Sequence, residues 1–185
     1  MALSVFTIKT ASAQTTKGSL MLGTDVASAQ GYYRGFGNSG GIGLSLHPKI
    51  GYFIKDNLVV GAGLELAYAK NSESRSVAYG ISPFARYYFK SKTASHFFTE
   101  ADFGFAGSSL KYRDVSAAYL RFVASLGGGY SYFVTPNVSL EAVLKLRADW
   151  SRMDGANSYS SRPYLQPFLG IGFQIYLPSA KHKTN

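Results

Sequence analysis

Apolar and polar residues alternate with a period of two over most of the chain, most cleanly from Val138 to Trp150. The seven even positions there, Val138, Leu140, Ala142, Leu144, Leu146, Ala148 and Trp150, are apolar, and five of the six odd ones, Ser139, Glu141, Lys145, Arg147 and Asp149, are polar. Period two is the mark of a strand whose two faces meet different surroundings. A helix would scatter Ser139 and Arg147 into the stripe made by residues three and four apart, so a helix is excluded.

The same alternation predicts strands over 18–28, 41–54, 58–69, 77–89, 97–108, 118–133 and 165–177, which with 138–150 makes eight. The connections 30–38, 70–76, 109–117 and 151–161 are longer and polar; 55–57 and 135–137 are tight turns and 90–96 is intermediate. Long loops at one end and short turns at the other predict an all-β, eight-stranded antiparallel up-and-down barrel. The even strand number puts both chain ends on the short-turn side. Pro83, Pro163 and Pro167 lie in or beside strands, where a missing N–H predicts bulges.

An eight-stranded closure can be a soluble lipocalin-like carrier with an apolar interior or a membrane barrel with an apolar exterior. The polar face decides between them. It carries Asp25, Lys49, Glu65, Arg86, Glu100, Asp102, Arg121, Glu141, Lys145, Arg147 and Asp149, six acids and five bases, together with many glycines. Such a near balance is what an enclosed set of charges needs in a low dielectric, and small residues suit a narrow interior. The apolar face ends in aromatic rings, Tyr52, Tyr87, Phe89, Phe97, Tyr130 and Tyr132 at the short-turn end and Tyr68, Tyr79, Phe105 and Trp150 at the long-loop end. Two aromatic girdles around an aliphatic belt predict a transmembrane barrel with a charged lumen.

Composition narrows the function. Charged residues are 16% of the 185, below the roughly 25% of ordinary soluble domains, and there is no cysteine, which removes disulfides, thiolate metal sites and cysteine nucleophiles. His47, His96 and His182 are scattered, and no metal or cofactor is expected. No apolar run approaches the roughly 18 residues of a membrane-spanning helix. Residues 1–13, MALSVFTIKTASA, combine an apolar run with an Ala-x-Ala site before Gln14 and read as an export signal.

The net charge of +9 does not point to nucleic acid, because no compact basic patch is interleaved with aromatics. Outside the lumen set the excess divides between the two ends, with Arg34, Lys70, Arg75, Lys111, Arg113, Arg152 and Arg162 against Glu73, Asp114 and Asp154 at the loop end. Two basic rims are expected to face anionic lipid headgroups or polymers. The only candidate for catalysis is Ser45-x-His47, where a His could activate a Ser with Glu65 as orienter, giving an alternative reading as a lipid A-modifying enzyme. Its inward parity argues against it, since a nucleophile for lipid must be reachable from the bilayer.

Residues 18–177 resemble the small outer-membrane β-barrel domain proteins of diderm bacteria, of the OmpA/OmpX type, on the segments HPKIGYFIKDNLVVGAGLELAYA (47–69), ISPFARYYF (81–89) and FLGIGFQIYL (168–177). The resemblance implies an integral outer-membrane protein with both termini periplasmic, structural or surface-interactive and without catalysis. Its partners would be outer-membrane lipid, lipopolysaccharide and the barrel-assembly machinery, and it would be a monomer. The last strand looks like the family's assembly signal, with Gly170 followed by Phe173, Ile175 and Leu177 on one face. It departs in carrying eight further residues, Pro178 to Asn185, where such chains often end on an aromatic.

Overall fold

The computed structural model describes residues 15–28, 42–70, 72–91, 93–113, 115–153 and 162–179. The expected export signal, the connection 30–38, most of 151–161, and Asp114, Asp154 and His182 lie outside the described residues. Eight strands follow one another: β1 (Leu20–Ser28), β2 (Ile42–Lys55), β3 (Leu58–Lys70), β4 (Ser74–Tyr88), β5 (Ser95–Tyr112), β6 (Val115–Thr135), β7 (Val138–Met153) and β8 (Tyr164–Leu177). Each pairs antiparallel with the next, and β1 also pairs with β8, so that Leu20 lies opposite Tyr52 on one side and Leu177 on the other. Closure leaves no open sheet edge.

The tight turns have local causes. Asn57 closes the β2–β3 hairpin at φ 65°, a left-handed conformation that asparagine tolerates better than most residues. The chain before β1 is tied beneath this hairpin: the Asn57 N–H donates to the Thr15 carbonyl at 2.6 Å, and the Lys17 N–H to Asp56 Oδ1 at 2.8 Å.

Two expectations are corrected. Residues 109–117 are a hairpin and not a long loop: Ser109 to Tyr112 pair in register with Ala118 to Val115. In the same way β4 begins at Ser74, with Arg75 opposite Lys70. Beyond the apolar belt 70–76 is polar at every position, and from Ser109 to Tyr112 the polar residues stand outward with Leu110 and Tyr112 inward, so the belt's alternation ends while backbone pairing continues. The bulges expected at the prolines are also not there. Pro83 pairs in register with Ala62, Pro167 pairs in register with Leu146, and toward β5 the ladder skips from Ile81 to Phe84 without shifting. Pro163 lies just before β8. The register shifts fall instead beside the short turns, between Phe53 and Lys55 and between Phe133 and Thr135.

The apolar face is the outer one. Leu144, Leu169 and Ile171 are 59%, 72% and 71% exposed, whereas Arg86 and Glu100 inside are 0% and 1% exposed. This inversion leaves no apolar cavity of the kind a lipocalin-like carrier requires, because the described interior is filled by charges above and by aromatic rings below.

Candidate functional site

The interior is a stack of ion pairs standing on an aromatic floor. All eleven charged residues of the inward parity are buried or nearly so, and each has an opposite charge within 4 Å. Seven of the eight strands, β1 to β7, contribute, because a closed narrow barrel brings alternate side chains from its walls to one axis.

Arg86 on β4 occupies the layer nearest the short turns. Its Nε donates to Glu100 Oε2 at 2.5 Å, and its Nη1 to Glu141 at 2.8 and 3.0 Å and to the Tyr88 hydroxyl at 2.9 Å. Glu100 collects further cations on its other oxygen, Lys49 at 2.7 Å and Lys145 beside it. Those lysines reach outward in turn, Lys49 to Asp25 at 2.6 Å and Lys145 to Asp102 at 2.7 Å, and Asp102 also accepts from Ser125. Toward the loop end Glu65 is held by Arg121 and Arg147, both at 2.6 Å, and Asp149 by Arg147 at 3.1 Å and Gln166 at 2.7 Å. Each carboxylate is met by donors, the condition under which buried charge is tolerated.

Beneath Arg86 lies a cluster of buried residues, Met21, Phe53, Val59, Phe84, Tyr88, Phe98, Phe133, Val143 and Tyr176. The Tyr88 and Tyr176 hydroxyls are 2.9 Å apart, and the Phe133 and Tyr176 rings have centroids 5.1 Å apart. Glycine makes room for the rings. A Cβ at Gly129 would stand 2.5 Å from Cζ of Phe98, and one at Gly61 2.8 Å from Cε1 of Phe84, so both rings lie directly over bare backbone of a neighbouring strand. A cavity of about 40 Å³ remains among Asp25, Lys49, Glu65 and Glu100, room for a few waters at most.

This floor is what the sequence reading missed. Its signal was present as aromatic doublets at the short-turn ends, Tyr52-Phe53, Tyr87-Tyr88, Phe97-Phe98 and Tyr132-Phe133. In a strand, neighbours point to opposite faces, so the first three doublets and Tyr132-Phe133 each send one ring outward and one inward. The outward members Tyr52, Tyr87, Phe97 and Tyr132 are exposed, as are Phe89, Tyr130, Tyr68, Tyr79 and Phe105, while Trp150 is half-buried against Phe122. On β8 Phe173, Ile175 and Leu177 are exposed on the outer face and Tyr176 between them points in.

The remaining candidates fall inside. Ser45 is fully buried, and His47 on the same inward parity meets the edge of Phe168 with ring centroids 5.2 Å apart. Both therefore face the lumen, away from the outer surface. His96 is not in the turn, as expected, but inside β5, where it packs against Phe133 and its Nδ1 lies 3.2 Å from the Phe89 carbonyl. At the loop end Glu73 is exposed, and hydrogen bonds from Arg113 (2.9 Å) and Tyr112 (3.0 Å) hold its carboxyl below the ordinary carboxylate range.

A closed eight-stranded antiparallel barrel with an apolar outside and a charged core is the fold of small outer-membrane barrels. Solved structures of that type resemble it. The N-terminal β-barrel domain of Pseudomonas aeruginosa OprF superposes with a TM-score of 0.55 at 16% identity, over 87% of this chain and 98% of that one. Neisserial surface protein A gives 0.55 at 18% identity over 85% and 93%. Ail, the attachment invasion locus protein of Yersinia pestis, gives 0.51 at 11% identity over 88% and 100%. At such identities the likeness is one of fold. No family model matches the chain. No curated protein sequence matches it.

Proposed function

We propose that the protein is an integral outer-membrane barrel, with both termini periplasmic, whose role is structural or surface-interactive and not catalytic, and whose lumen is closed. The observation that carries this reading is the inversion of polarity around a closed ring: leucines and isoleucines on the outside, and Arg86 and Glu100 without solvent contact on the inside. Lipid is the solvent that fits the first and excludes open strand edges. The closed lumen is supported by two barriers in series, the ion-pair stack and the aromatic floor. The absence of catalysis is supported by the direction of Ser45 and His47, whose side chains face a packed interior. The chain exported in a diderm host should fractionate with the outer membrane and resist carbonate extraction. A freely soluble periplasmic product would overturn the membrane reading, and a changed lipid A mass in cells expressing it, lost with Ser45→Ala, would restore the enzymatic one.

A further inference from the structure

The outer face carries a row of like charges that no described residue neutralises. Lys70 lies directly opposite Arg75, and Arg75 directly opposite Lys111, so three cations occupy adjacent positions on β3, β4 and β5. All three are exposed and on the outward parity, two residues beyond Tyr68, Val77 and Ser109 on their own strands. Directly opposed side chains have Cβ atoms about 4.5–5.5 Å apart, and like charges so placed repel. None of the three side chains makes an ion pair or hydrogen bond with any described residue. The acid of the adjacent turn, Glu73, is taken up by Arg113 and Tyr112. Among the described residues the row thus lacks a counter-charge at the height where the outer aromatic belt ends.

We propose that Lys70, Arg75 and Lys111 form a site for the phosphate of a lipid headgroup in the leaflet around the loop end. This deepens the membrane-barrel reading and rests on it. One phosphate between three cations relieves their mutual repulsion, and Arg75 at the centre presents the fork suited to phosphate, flanked by two lysines as point charges. The lipid source follows from direction: the side chains stand on the outer face above Tyr68 and Tyr79, so a headgroup reaches them while its acyl chains lie along the apolar belt below.

The test uses the full chain folded in neutral-detergent micelles, titrated with phosphatidic acid and followed by native mass spectrometry. The Lys70→Gln/Arg75→Gln/Lys111→Gln variant should bind at least tenfold more weakly than wild type. A variant losing three exposed cations at the other rim, Lys17→Gln/Lys55→Gln/Lys90→Gln, should bind as wild type does. Equal weakening in both would overturn the site in favour of general electrostatics. Competition by inorganic phosphate at the lipid's own concentration would overturn the lipid as the source. Should the triple variant not fold, Arg75→Gln alone decides, with a several-fold loss expected and none counting against the site. Integration into vesicles is scored separately. Wild type that fails to integrate removes the barrel reading itself, whereas integrated protein with unchanged binding removes only this site.

Discussion

The guanidinium carbon of Arg86 lies 4.0 Å from the centre of the Phe98 ring. This contact joins the two halves of the interior, since Arg86 is the lowest member of the ion-pair stack and Phe98 belongs to the aromatic floor. A cation over a ring face is attracted by the ring quadrupole, and more so where water is excluded. The floor therefore contributes electrostatically to the network above it as well as closing the barrel.

Removing Arg86 should expose how much the network depends on it. Arg86→Met leaves Glu100 with its two lysines, but it strips Glu141 of the one cation paired with it among the described residues, in a region with almost no solvent contact. Breaking a buried pair from one side costs about 3–5 kcal/mol. Arg113→Met breaks a pair whose side chains are 67% and 50% exposed, and an exposed pair is worth at most about 1 kcal/mol. Urea titrations in lipid vesicles should rank Arg86→Met far below Arg113→Met, with Arg121→Met also below the loop variant. Equal losses would mean that the interior is hydrated enough to solvate a stranded carboxylate.

On the outer face Leu144 and Leu169 lie directly opposite each other on β7 and β8, both well exposed. Arginine at either position should cost about 2–4 kcal/mol if it enters the middle of a bilayer. The double variant should cost more than the sum, because two like charges then face each other across the ladder. Folding titrations in vesicles measure all three, and unchanged stability would show that this face does not meet hydrocarbon.

Acid should loosen the loop end in a defined direction. Glu73 has its carboxyl lowered first by the Arg113 hydrogen bond, then by that of Tyr112, then by the Arg113 charge. A lowered carboxyl stabilises the folded form at pH above its ordinary value, and that contribution is lost as pH falls through the lowered one. NMR titration should find Glu73 protonating at lower pH than a free glutamate, and Arg113→Met should move it back up. Identical titration curves in the two proteins would show that the Glu73–Arg113 contact is not formed in solution.

Strand number and direction were readable from alternation, because period two survives wherever the faces meet different media, and the inside–outside sorting came from the near-balanced charges and glycines of the polar face. Where the polarity of the faces reverses, as from Ser109 to Tyr112 with polar residues outward and Leu110 and Tyr112 inward, the belt's pattern ends although the backbone pairing continues. Where both are aromatic, as at Phe97-Phe98, parity still assigns the faces, but enrichment in rings suggests a girdle and conceals the floor. The lumen charges were legible as a set. Their partners were not, because Lys49 meets Glu100 across 51 residues of sequence and Arg147 meets Glu65 across 82, distances fixed only by closure and register.

The two interior barriers give a graded expectation for conductance. Ions passing along the axis would have to displace the cations held on Glu100 and then cross a layer of rings packed at 5.1 to 6.3 Å between centroids. Eight strands leave an interior just wide enough for side chains to fill, so neither layer has room to step aside. Wild type in planar bilayers should therefore be silent. Phe53→Ala/Tyr176→Ala, which thins only the floor, should stay silent because the salt-bridged layer above it is intact. Adding Arg86→Ala and Glu141→Ala, which removes the pair joining the layers, should produce brief cation-conducting openings, since Glu100 and Asp25 then line the gap. Steady, uniform conductance from wild type would sink the closed lumen outright, and steady conductance from the floor variant alone would show that the ion pairs are no barrier.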